Sequence, residues 1–356
     1  MFRRRQGVVQ NDTVARSMRK FFKHLENSAG GNDRSKPEAI AKEYGRSLWN
    51  PATSKLVDDK RQRRSRFYIG LSTAGGISFA ELTKRVALVS DTLLLSHDRT
   101  DEYHHLGESS HNDGGFSLRT TRYGMNCPDL AELGRWILDA EPLLKAGLAW
   151  YLPRYSSSVY ESYSFPSEGH TERAPVGAID YLISDGRAID ASGAEPIKSQ
   201  LVRPVLRIDL PFVAGVDLRS FSEITIEEFT SYSSFRDFLR QSLLDMDTAL
   251  NAVQSDRELL KLGLEIKDHV RSTRSEMETA RRKKAVGVTG AVIGSVGATL
   301  AAVYGPALQA AIAALGATGG VWGIIHAAAE NDTRALRQDT WYYVWALAQK
   351  ANTNII

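Results

Sequence analysis

AVGVTGAVIGSVGATLAAVYGPALQAAIAALGATGGVWGIIHAAA, running from Ala285 to Ala329, contains no Asp, Glu, Lys or Arg, although these make up 24% of the whole chain. Wound as a helix, Ala285–Tyr304 is about 30 Å long, the thickness of a bilayer's hydrocarbon core. Gly305 and Pro306 break it, because proline has no N–H to donate and glycine tolerates reversal. Ala307–Ala329 is again long enough to span. The spacing predicts a hydrophobic helical hairpin with its turn at Gly305-Pro306.

Charge brackets the stretch. Arg281, Arg282, Lys283 and Lys284 precede it, and Glu330, Asp332, Arg334 and Arg337 follow it. Both charged ends are therefore expected to stay on one side of a membrane, with only an uncharged tip crossing. The four basic residues before the hairpin fit lipid headgroups on an anionic, cytoplasmic face. Glycines recur at the spacing that lets helix backbones approach in lipid: Gly290/Gly294, Gly316/Gly320 and Gly319/Gly323.

The energy of insertion is marginal. Val286, Val288, Val292, Ile293, Val296, Leu300 and Val303 together supply about −2 to −4 kcal/mol, opposed by Gly, Thr289, Ser295 and Thr299. The second arm is similar, with Gln309 and His326 as costs. The residues expected to enter lipid are Val292, Ile293, Leu300, Leu308, Ile312, Leu315, Ile324 and Ile325. A hairpin of this strength suits storage in a soluble fold and conditional release. The competing reading is permanent burial, since helices apolar all round also fill large cores. The layout resembles, in architecture and not in sequence, the hydrophobic hairpin of pore-forming colicins.

Working outward, residues 216–284 read as one or two long helices leading into the hairpin. Leu239, Leu243, Met246, Leu250 and Val253 form a heptad-like seam that resumes at Leu260 and Leu264, with Ile266 and Val270 off it. Beyond the hairpin, Thr340–Ala348 reads as a helix dense in aromatics. Trp341, Tyr342, Tyr343 and Trp345 suit a membrane–water interface, a core or an oligomer contact.

Residues 1–34 are basic, with seven Lys/Arg against one acid up to Lys23. The opening twelve residues lack the apolar run of a secretory signal. Val14, Met18, Phe21, Phe22 and Leu25 share one helical face opposite a cationic one. That face suits an anionic membrane, a nucleic-acid backbone or the chain's own core. A linker, Ser28–Pro37, leads to a short helix over Pro37–Trp49, a turn at Asn50-Pro51 and a cationic run, Arg61–Arg66, fit for solvent or phosphate.

Residues 35–215 read as a mixed α/β domain, sensing or regulatory in role. Phe67–Ser72, Thr92–His97, Leu148–Leu152, Ala178–Ser184 and Pro204–Leu210 are strand candidates. Phe79–Ser90 and Pro128–Gly147 are helical, the latter bent at Pro142. His97–Gly115 is polar, ends in Gly-Gly and reads as an exposed loop, as does Gly169–Arg173.

Enzymatic signatures are sparse. His97, Asp98, His104, His105, His111 and Asp113 are metal-ligand types without a recognised spacing. HEXXH, GxSxG and a Walker A loop are absent from the sequence. Thr73–Gly76, between strand and helix, is placed to meet an anion. Cys127 is the sole cysteine, which rules out an intrachain disulfide and a cysteine-built zinc cage. It has no base beside it in sequence.

The fold class that follows is α+β. A basic N-terminal segment (1–34) precedes a mixed α/β domain (35–215) and a mainly helical domain (216–356) carrying the hairpin 285–329. The function expected is non-enzymatic membrane action by a cytoplasmic protein that joins membranes conditionally, in the manner of a pore-forming or defence effector. Expected partners are an anionic membrane surface and further copies of the chain, with nucleic acid open through the basic N-terminal segments. No metal or other cofactor is expected. The alternatives are a soluble regulatory protein with the hairpin as permanent core, and a metal-dependent hydrolase using the histidine-rich stretch.

Overall fold

The computed structural model describes residues 8–27, 35–49, 56, 67–73, 77–98, 100–112, 118–161, 169–173, 178–191, 195–246, 252–288 and 339–351, and every structural statement concerns these. A mixed α/β N-terminal region is followed by a mainly helical C-terminal region.

The first sheet grows from two six-residue buried strands. β1 (Tyr68–Thr73) and β2 (Thr92–His97) pair in parallel from Tyr68↔Thr92 to Thr73↔His97. Their near-continuous burial is the signature of a parallel sheet covered on both faces. β5 (Ala149–Tyr151) joins the far side of β2, and β8 (Tyr181–Ser184) the far side of β1, both in parallel. β9 (Arg187–Asp190) closes the order β5-β2-β1-β8-β9 as an antiparallel edge. The chain thus steps outward from β1 to β2 and β5, then crosses back to β8. Between the carboxyl ends of β1 and β8 the winding reverses, the place where open α/β sheets hold ligands.

A second, antiparallel sheet leaves the carboxyl ends of β2 and β5. It comprises β3 (Tyr103–Asn112), β4 (Leu118–Asn126), β6 (Arg154–Glu161) and β7 (Gly169–Arg173), in the order β3-β4-β6-β7. This corrects two expectations. Tyr103–Asn112, within the stretch His97–Gly115, and Gly169–Arg173 are strands, formed by backbone pairing with β4 and β6 that their polar composition does not announce.

Helices cover these sheets. α1 (Asp12–Asn27) buries Val14, Met18, Phe21, Phe22 and Leu25 against the chain's own core and leaves Arg16, Arg19, Lys20 and Lys23 exposed. α2 (Pro37–Leu48) lies beneath the second sheet, where the Tyr155 hydroxyl donates to Gly45 O at 2.7 Å and Trp49 stacks on Tyr123 at 4.4 Å. α3 (Phe79–Val86) follows β1 and is capped by Ser78, whose Oγ accepts from Glu81 N at 3.2 Å. The stretch read as one bent helix is two. α4 (Leu130–Asp139) ends at Ala140, and α5 (Glu141–Ala146) starts with Pro142 in its first turn and stops at Gly147, φ +74°. α2 and α4 touch at Gly134, where a Cβ would lie 1.9 Å from Pro37 O.

The C-terminal region holds α6 (Pro196–Arg207), α7 (Pro211–Ala214), α8 (Leu218–Glu227), α9 (Phe229–Leu244), α10 (Ala252–Val288) and α11 (Thr340–Lys350). α6 replaces most of the strand expected over Pro204–Leu210. Its buried residues Lys198, Leu201, Val202 and Val205 fall at helical spacing, with Pro196 in the first turn. α8, α9 and α10 replace the expected one or two helices. The seam also shifts. α10 buries Leu259, Leu262, Ile266, Val270 and Thr273, while Leu260 and Leu264 are 63% and 53% exposed. Because α9 ends at Leu244, the heptad count cannot be carried across to α10.

One contiguous buried core runs from Val14 to Ala348. At the amino end of β2, Asp91 Oδ1 accepts from Arg240 Nη2 at 2.8 Å, and Arg240 Nε donates to Val89 O at 2.9 Å. Arg236 Nη1 sits 3.2 Å from the same carboxylate oxygen. Nearby, the Tyr232 hydroxyl donates to Ala87 O at 2.6 Å. These contacts bind α9 to the first sheet.

Candidate functional site

The structure describes the base from which the uncharged segment departs and to which the chain returns. α10 continues unbroken through Lys284 to Val288, so Arg281, Arg282, Lys283 and Lys284 lie on its last turns. Val292, Ile293, Leu300, Leu308, Ile312, Leu315, Ile324 and Ile325 lie outside the described residues. So do Gly290, Gly294, Gly316, Gly319, Gly320 and Gly323, and the turn pair Gly305 and Pro306. Among the described residues, no helix is long and apolar enough to cross a membrane.

On the return side, α11 is pinned on several flanks. Asp339 Oδ1 accepts from Trp341 N at 2.8 Å, capping the helix. Ser231 Oγ donates to Asp339 O at 2.5 Å and accepts from Tyr343 N at 2.8 Å. The Tyr343 hydroxyl meets Thr225 Oγ1 at 2.9 Å, and burial raises that phenol well above its ordinary range. Trp341 packs edge-on against Phe235 and Phe238 and lies flat on His269 of α10. Of the aromatics suited to an interface or a core, Tyr342, Tyr343 and Trp345 are buried in this form.

A second constellation lies where the two sheets meet. His97 ends β2, and its Nδ1 is 2.9 Å from the hydroxyl of Tyr151, which ends β5. Phe79, the first residue of α3, stacks on the imidazole at 4.5 Å. Burial pushes the His97 pKa down to about 4 and raises that of Tyr151. The pair is a neutral imidazole held against a neutral phenol. Tyr44 of α2 bridges beneath it, donating to Tyr151 O at 2.8 Å and accepting from Tyr151 N at 3.1 Å. Thr73 and Ser78 flank this edge of the sheet, while Ala74, Gly75 and Gly76 lie outside the described residues.

Among the described residues, those considered for metal binding are not gathered. His97 is engaged by Tyr151, and His104 Nε2 is 2.7 Å from Cys127 O. No group of three metal-ligating side chains occurs among the described residues, and Asp113 lies outside them. Cys127 is buried, and burial pushes its thiol up to about 12, which keeps it protonated and poorly nucleophilic.

Sequence reasoning missed the His97–Tyr151 pair and the buried ion pair of Lys198 with Asp180. Lys198 Nζ donates to Asp180 Oδ1 at 2.7 Å, and Asp180 Oδ2 accepts from Gly70 N at 2.6 Å. For His97 a signal existed, a polar residue closing the apolar run TLLLSH. For Asp180 and Lys198 none did, since their partnership depends on β8 crossing back beside β1.

No known protein family matches the chain, and comparisons with curated proteins and with solved structures found no similar protein.

Proposed function

We propose that the protein acts on anionic membranes without enzymatic chemistry, through the helical hairpin Ala285–Ala329. The hairpin is held with the folded chain and transferred to lipid on a trigger, after which copies of the chain assemble and permeabilise the bilayer. The observation that carries this reading is the placement of the segment's two ends. α10 leads into it as one continuous helix, and α11, which follows it, packs back on α8, α9 and α10. A segment tethered at both ends to one core can enter a bilayer as a hairpin while the charged body stays outside. The α10 backbone also extends about 28 Å beyond His269, the level at which Trp341 packs, so the departure point stands away from the return point. The weak insertion energy favours conditional over constitutive entry.

Release of a trapped dye from vesicles tests the proposal. Vesicles containing phosphatidylglycerol are expected to leak, and purely zwitterionic ones to leak far less. Ile293→Asp combined with Ile312→Asp is expected to abolish leakage and leave the denaturation midpoint of the unbound protein near its original value. Should the double variant unfold instead, the hairpin is permanent core; should no anionic vesicle bind the protein across pH and salt, membrane action is excluded.

A further inference from the structure

A cavity of about 390 Å³ opens between α1, α5 and α8. Its volume lies within the range of small-molecule sites. Its lining combines apolar Leu138 and Ile226 with the cations Arg19, Lys145 and Arg219 and the carboxylates Glu141 and Glu223. The pairing among these charges is uneven. Lys145 Nζ donates to Glu141 and lies 3.9 Å from Glu26 Oε1, and Arg219 Nε donates to Glu223 at 3.2 Å. Arg19 meets no carboxylate among the described residues. Its Nε donates to Lys145 O at 2.8 Å and its Nη2 to Val8 O at 3.1 Å. Two carbonyls thus hold the guanidinium without neutralising it.

We propose that this cavity binds a monoanionic amphiphile, a carboxylate on a short alkyl chain, with the carboxylate at Arg19 and the chain over Leu138 and Ile226. An arginine with no carboxylate of its own favours a ligand that brings one. The apolar part of the lining rewards a hydrocarbon tail that a bare anion lacks. A guanidinium already held by its own chain loses little freedom when it binds the carboxylate, and its planar fork matches that group. The inference stands apart from membrane action, because it concerns a dissolved ligand and the folded body.

Calorimetric titration of the full chain with octanoate below its micellar concentration tests this, with acetate and 1-octanol as comparators. Octanoate is expected to bind saturably and at least about tenfold more tightly than either, the scale of one charge-assisted hydrogen bond. Arg19→Gln, at an exposed position, is expected to bring octanoate down to the octanol level. The proposal is overturned if octanol equals octanoate in the native chain, if Arg19→Gln binds octanoate unchanged, or if octanoate shows no saturable binding at millimolar concentration.

Discussion

The indole of Trp341 lies flat on the imidazole of His269, with ring centroids 4.2 Å apart and planes 6° from parallel. That stack joins the helix entering the uncharged segment to the helix leaving it. Trp341 also meets Phe235 and Phe238 of α9, so one side chain couples three helices. Trp341→Ala removes the shared contact and leaves a void. The expected loss is about 3 kcal/mol of stability, read from urea denaturation. Trp341→Phe keeps a ring in place and is expected to recover more than half of it. A loss below about 1 kcal/mol in the alanine variant would show that α11 is held by its Tyr343 face alone.

His97 predicts a dependence on acid. Its folded pKa of about 4 lies below the unfolded value, so the unfolded chain takes up the proton first. The contribution is fully present above about pH 6.5 and is lost as pH falls from there toward 4. Between pH 7 and pH 5 the expected decrease is about 2 kcal/mol. His97→Gln cannot titrate, and its stability is expected to change less across that window. Equal slopes for the two proteins would refute the assignment.

Much of this architecture is legible in residue order, and the reasons for the remainder are physical. β1 and β2 announce themselves as apolar runs, and α1 and α4 by their striped faces, because those signals are local. β3 and β7 do not, since a strand half open to solvent carries polar residues, and GHTER acquires its strand only from pairing with β6. α6 was hidden by Pro204, which sits inside the helix. The displaced stripe of α10 shows the limit of periodicity: Leu260 and Ile266 look equally apolar, and only tertiary packing decides which is buried. The His97–Tyr151 contact joins residues that meet only because β2 and β5 end side by side.

The Lys198–Asp180 pair is almost wholly enclosed, with side-chain exposures of 6% and 5%. Lys198→Met strips the countercharge from a buried carboxylate, at an expected cost of about 3 kcal/mol or more. Adding Asp180→Asn removes that charge while leaving an amide oxygen able to accept from Gly70 N. The double variant is therefore expected to be more stable than Lys198→Met alone, as measured in a double-mutant cycle. Additive losses would mean that the pair contributes through packing and not through charge.

Asp91 faces two buried arginines, and its geometry serves them unequally. Arg240 is satisfied: it donates to Asp91 and Val89 O, and its guanidinium lies 3.9 Å from the Phe67 ring centroid. Arg236 is 6% exposed, and its Nε and Nη1 have no hydrogen-bond partner among the described residues, although Nη1 lies within ion-pair distance of Asp91. Burial and the neighbouring Arg236 both depress the Arg240 pKa, although Asp237 Oδ1 also lies 3.3 Å from Arg240 Nη1 and 3.8 Å from Arg236 Nε. Removing the poorly satisfied partner relieves that repulsion, whereas removing the well-bonded one leaves Val89 O without its donor. Arg236→Met is accordingly expected to change stability by less than about 1 kcal/mol, or to raise it, while Arg240→Met costs about 3 kcal/mol. Chemical denaturation of the two variants side by side checks the ranking. The reverse order would place the docking of α9 on Arg236 and the Tyr232 ring beneath it, 5.4 Å from its guanidinium.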